Sequence, residues 1–72
     1  MYEVSIIITA YNSDKYISES INSIINQTFK NWILIAIDDG SSDHTFEILK
    51  SFKSSLKNQL ILIKNEKNLG IN

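Results

Sequence analysis

The 72-residue chain has no cysteine, no arginine, one histidine and two glycines. Without cysteine it can form neither a disulfide nor a thiolate metal site. The lone His44 rules out a zinc centre of the usual multi-histidine kind. Two glycines are too few for a glycine-rich phosphate loop. The seven basic residues are all lysine, spread along the chain, and the net charge is −1. No basic stripe marks a nucleic-acid surface, so no nucleic-acid partner is expected. No stretch approaches the roughly 20 apolar residues of a membrane span. The opening "MYEVSIII" carries Glu3 where a signal peptide carries positive charge, so a cytoplasmic location is expected.

What is present belongs to a folded protein: 43% hydrophobic and 21% charged residues. A chain this short buries only about 60% of the surface that its unfolded form exposes and is marginal unless supported. "VSIIIT", Val4 to Thr9, reads as a buried strand. From Ser13, a candidate N-cap, Ile17, Ile21, Ile24, Ile25 and Phe29 recur at helical spacing. Trp32 to Ile37 is a second apolar run and predicts a second strand, and "DDGSSD" follows as a loop. A second helix is predicted from Ser41 or Ser42, with Asp43 in its first turn and an apolar stripe of Phe46, Leu49, Phe52 and Leu56. "LILI", Leu60 to Ile63, is a third strand.

The pattern is α/β: a Rossmann-like βαβαβ unit with a three-stranded parallel sheet and two helices. Successive crossovers extending a sheet in one direction put both helices on one face. Yet all three strands are apolar on both faces, and nothing in the 72 residues covers the second face. The chain therefore reads as the N-terminal piece of a larger α/β domain, or as a subunit of a homodimer formed through the uncovered sheet face.

Ligands in open α/β sheets bind beyond the carboxyl ends of the strands. Three loops occupy that edge: Thr9 to Asn12, Asp38 to Ser42 and Lys64 to Gly70. Adjacent acids at a strand end repel, which is more than a turn requires. Asp38 and Asp39 are thus either acceptors for ligand N–H or O–H groups or ordinary turn residues. Tyr11 stacks on a nucleobase or packs on a neighbouring loop, and Asn12 makes a turn. Gly40 permits positive φ or close approach of the backbone. His44, Asp14, Lys15 and Glu19 read as solvated, Trp32 as packing, and Asn65 and Asn68 as loop residues.

"AYN", "SIINQT", "DDGSSDHT" and the late "NLG" occur in that order across the chain. In this register they resemble the start of the family 2 glycosyltransferases of the GT-A fold, over essentially all 72 residues. The resemblance implies the nucleotide-sugar-binding part of a GT-A domain, residues 1–72. It implies an inverting enzyme that moves a sugar from a nucleotide-sugar donor, commonly a UDP-sugar in the family, to a glycan or lipid-linked acceptor in polysaccharide synthesis. Mg²⁺ or Mn²⁺ would neutralise the departing diphosphate in the full-length enzyme. Carried over by position, Thr9 and Tyr11 would contact base and ribose. Asp39, with Asp38, would accept from the uracil ring or the ribose, and Asn68 is a further nucleotide-side candidate. Threonine stands at position 9 where many family members have proline. The family's Asp-x-Asp metal motif and general base are not among the 72 residues, so neither a catalytic residue nor a metal ligand is assigned. The alternatives are a non-catalytic dimerising module and a receiver-like phospho-acceptor domain. In the latter, the acidic pair follows the first strand.

Overall fold

The computed structural model describes residues 2–66; Asn68 lies outside them. The elements run β1 (Val4–Ala10), α1 (Ile17–Ile25), β2 (Trp32–Asp39), α2 (Thr45–Ser51), α3 (Lys53–Leu56), a 3₁₀ turn (Lys57–Gln59) and β3 (Leu60–Asn65). The strands form one parallel sheet in the order β1-β2-β3, so each new strand pairs with the one before it.

Strand alternation gives the sheet two unlike faces. On one face Ile6, Leu34 and Leu60 lie in register, as do Ile8, Ala36 and Leu62. Against this face pack Ile17, Ile21 and Leu49, and Leu34, Ala36, Leu49 and Leu60 are all but sealed from water. The other face carries Ile7, Ile35 and Ile61 in one row and Thr9, Ile37 and Ile63 in the next. It has no helix on it among the described residues: Ile7 is 64% exposed and Ile61 and Ile63 are 43% exposed. The two-faced apolar pattern of the sequence is thus present, with one face packed and one open.

The helices are shorter than their sequence pattern predicts, and at their N-termini the reason is visible. Polar residues that look like local N-caps are used across the two loops instead. α1 begins at Ile17, not Ser13. The Ser13 hydroxyl donates to the Tyr11 carbonyl, and the Ser13 amide donates to Thr45 Oγ1 at 2.8 Å. Phe29 falls beyond the helix and is exposed. α2 begins at Thr45, not at Ser41 or Ser42. Asp43 stands just ahead of it: its Oδ1 accepts from the Thr45 amide at 2.9 Å and from the Thr45 hydroxyl at 2.5 Å. Its Oδ2 accepts from the Asp14 amide at 3.2 Å. The stripe from Phe46 to Leu56 is split between α2 and α3.

Two outcomes follow from this packing. Leu34→Ala is expected to cost about 2–5 kcal/mol, since it empties the sealed centre of the sheet. Ile7→Thr on the open face is expected to stay within about 0.5 kcal/mol. Urea unfolding of both variants compares them directly.

Acid is the second probe. Partial burial works to raise Asp43, but the Thr45 hydroxyl and amide and the Asp14 amide hold its carboxyl below the ordinary value. The unfolded chain lacks these donors and takes up its proton first as pH falls. The contribution of Asp43 is therefore complete above the unfolded aspartate value of about 3.9, and it is lost as pH falls through the lower folded value. Urea midpoints measured down this range are expected to fall for the wild type. The Asp43→Asn variant is expected to start lower at neutral pH and to fall less steeply.

Candidate functional site

β2 does not end where the apolar run ends. It stays extended and paired through both acids, Ala10–Asp38–Lys64 forming one row of the sheet and Asp39–Asn65 the next. Asp38 and Asp39 are therefore strand residues and not the start of a loop. Their side chains leave the sheet on opposite faces. That separation relieves the repulsion expected of adjacent carboxylates and gives the two acids different work.

Asp38 points to the helix-covered face and is fully buried. Its Oδ1 accepts from the Ser41 hydroxyl at 2.5 Å, and its Oδ2 has no partner among the described residues. Ser41 Oγ in turn accepts from the Asn12 amide at 2.8 Å. The Asn12 side-chain oxygen accepts from the Ser42 amide at 2.8 Å. Asn12 has φ 48°, a left-handed conformation that asparagine tolerates better than most residues. Gly40, with φ 79°, releases the chain from β2 into this contact. Further along, the His44 amide donates to Asp14 Oδ2 at 3.4 Å, and His44 Nδ1 lies 3.9 Å from the same oxygen. The loop after β1 and the loop after β2 are thus laced together by their polar side chains.

Asp39 points to the open face and is half-buried. Its Oδ1 accepts from Asn65 Nδ2 at 3.2 Å, and its second oxygen has no partner among the described residues. Thr9 is exposed on the same face, in the row of Ile37, two residues before Asp39. Tyr11, just beyond β1, is 50% exposed. At the carboxyl edge of the sheet there is accordingly an aromatic ring, a hydroxyl and an oriented carboxylate open to solvent. A carboxylate with a spare oxygen accepts from a ligand N–H or O–H, and an exposed ring stacks on a flat partner.

Of the residues singled out from sequence, Thr9, Tyr11 and Asp39 share this open edge. Asp38 faces the interior, and Asn68 lies outside the described residues. Asn65 reads as a loop residue in the sequence, but it is the last residue of β3 and steadies Asp39. Its signal is positional: it is two residues on from Ile63 and so has the same parity as the open face. Asn12 does make a turn, as expected, but one tied to the neighbouring loop. Among the described residues no three His, Asp or Glu side chains converge to hold a metal ion. None of the described helices is long and apolar enough to cross a membrane.

The chain is similar to known proteins. The chain is 49% identical over 67 residues to an uncharacterized glycosyltransferase of Haemophilus influenzae, covering 93% of this chain and 20% of that protein. It is 46% identical over 66 residues to the Escherichia coli UDP-Glc:alpha-D-GlcNAc-diphosphoundecaprenol beta-1,3-glucosyltransferase WfgD, covering 90% of this chain and 24% of the relative. The crystal structure of Staphylococcus aureus TarS 1–349 in complex with UDP-GlcNAc superposes with a TM-score of 0.81 at 34% identity, covering 94% of this chain and 19% of that one. The chain thus spans about a fifth to a quarter of the length of these relatives. Residues 5–72 match the family described as glycosyl transferase family 2, and with the βαβαβ sheet and its motifs in register the chain belongs to that family.

Proposed function

We propose that this segment is the nucleotide-binding half of a glycosyltransferase that moves a sugar from a UDP-sugar to a glycan or lipid-linked acceptor, with inversion at the transferred carbon. The observation that carries the reading is the oriented carboxylate of Asp39. Asn65 occupies one oxygen and leaves the other for a donor on the nucleotide. Thr9 and Tyr11 border the same edge, where a hydroxyl and an aromatic ring suit a ribose and a base. The UDP-GlcNAc complex of TarS and the UDP-Glc donor in the name of WfgD support a UDP-sugar here. The diphosphoundecaprenol in the name of WfgD supports a lipid-linked acceptor.

The described residues do not fit a divalent cation. Asp38 is sealed against Ser41, and no third carboxylate or histidine approaches Asp39. No step is therefore assigned to a metal within this segment. The Mg²⁺ or Mn²⁺ of the family would take its ligands from other parts of the full-length protein, as would the general base. What these residues would supply is binding of the base and ribose. The open isoleucine face supports the further reading that residues 1–72 are one part of a larger domain, whose remaining chain covers that face. Concentration-dependent sedimentation would instead assign the face to a homodimer. A receiver-like role is not supported, because the acids end β2, whereas β1 ends at Ala10 and β3 ends in Lys64 and Asn65.

The test is an NMR titration with UDP, with and without Mg²⁺, following backbone amides. Shifts are expected at Thr9 to Asn12 and at Asp38 to Gly40, with little dependence on the metal. A dispersed spectrum that does not respond to UDP would overturn the reading. Asn65→Ala is expected to weaken UDP binding about fivefold, the worth of one modest hydrogen bond acting through Asp39.

A further inference from the structure

The two residues flanking the open edge are joined by more than the sheet. Tyr11 is followed by Asn12, and Asp39 is preceded by Asp38. Between Asn12 and Asp38 runs a short relay. The Asn12 amide donates to Ser41 Oγ at 2.8 Å, and the Ser41 hydroxyl donates to Asp38 Oδ1 at 2.5 Å. The Ser42 amide closes a second link onto the Asn12 side chain. Asp38 is fully buried on the face opposite to Asp39, so a ligand on the open edge does not reach it.

We infer that Asp38 and Ser41 are positioning residues for the nucleotide site: through Asn12 they fix Tyr11 relative to Asp39, and Asp38 itself makes no contact with the nucleotide. The inference rests on the nucleotide reading above.

The geometry explains why these residue types are needed. Ser41 must accept and donate at once, because its oxygen receives the Asn12 amide while its proton goes to Asp38. Only a hydroxyl does both at this size. Asp38 must accept, because its hydrogen-bonded partner is a donor, but an amide oxygen accepts as well as a carboxylate oxygen. Asn12 must sustain a positive φ while keeping a backbone N–H. Removal of the Ser41 hydroxyl strands both neighbours and frees the loop that carries Tyr11.

Four variants separate positioning from contact: Asp38→Asn, Asp39→Asn, Ser41→Ala and Ser41→Thr. UDP affinity is read by NMR titration, and hydrogen exchange is read at the Asn12 amide. Asp39→Asn is expected to lose about tenfold or more in affinity with the Asn12 amide still protected. Asp38→Asn keeps an acceptor for Ser41 and is expected to lose no more than about threefold. Ser41→Ala is expected to lose about tenfold and to speed exchange at Asn12 by a similar factor, and Ser41→Thr to restore most of both. Loss by a folded Asp38→Asn as large as that by Asp39→Asn would overturn the inference by making Asp38 a contact. Full affinity in a folded Ser41→Ala would overturn it as well. If Ser41→Ala does not fold, the Asp38→Asn and Ser41→Thr results decide. If the wild type does not bind UDP at all, the nucleotide reading falls, and with it the role of the relay in binding. Exchange at Asn12 then still reports whether the relay holds the loop.

Discussion

The pleat of β2 governs what the site can be. Because the strand remains extended through Asp39, paired on both edges as far as Asp38 and to β3 at Asp39, successive side chains are sent to opposite sides of the sheet. One acid of the pair enters the protein and the other leaves it. Had the chain turned at Ile37, both carboxylates would have shared the loop and repelled each other. The row that joins Ala10, Asp38 and Lys64 holds the strand straight for the two residues that matter. Thr9 and Asn65 owe their places to the same alternation, since each has the parity of the open face.

The loops show how a small protein uses its polar residues twice. Asn12, Ser13 and Asp14 on one side meet Ser41 to Thr45 on the other through short side chains whose oxygens accept from backbone amides of the facing loop. Each bond is worth about 1 kcal/mol net, and only where its partners are kept from water. The bonds of the Ser13 and Asp14 amides are part-buried and those of the Asn12, Ser42 and His44 amides are exposed, and together they tie the two connecting segments to each other. Rigidity there has value to a binding site, because loops that are already ordered lose little freedom when a ligand arrives.

Much of the fold was legible because strands write their burial directly into sequence. The runs at Ile6, Leu34 and Ile61 are apolar without interruption, and βαβ order then dictates parallel pairing. The limits lay where polar residues carry non-local information. Ser13 and Ser41 resemble local helix caps, yet the Ser13 amide donates to Thr45 and the Ser41 hydroxyl accepts from the Asn12 amide, each across the two loops, and nothing in a linear reading distinguishes the two uses. The extension of β2 through Asp38 and Asp39 was hidden for a similar reason, as aspartate is a poor strand former and a good turn former. Asn65 was hidden by the same composition rule. Tyr11, Asp38 and Asp39 stand out as candidates from their residue types and place, and Thr9 by family resemblance; the structure adds a physical distinction between Asp39 and Asp38 that the motif alone does not contain.

The strand order has a consequence for how such a chain comes into being. Every strand pairs with its immediate predecessor, so the sheet can lengthen in the direction of synthesis without prising apart an earlier pair. Each crossover helix arrives between the strands that it bridges and covers the same side. A growing polypeptide could therefore complete this unit in the order in which it leaves the ribosome, N-terminal elements first. The isoleucine face would stay uncovered through that interval. In vectorial folding of this kind, the apolar face of Ile7, Ile61 and Ile63 is the surface left open to water while the other is packed.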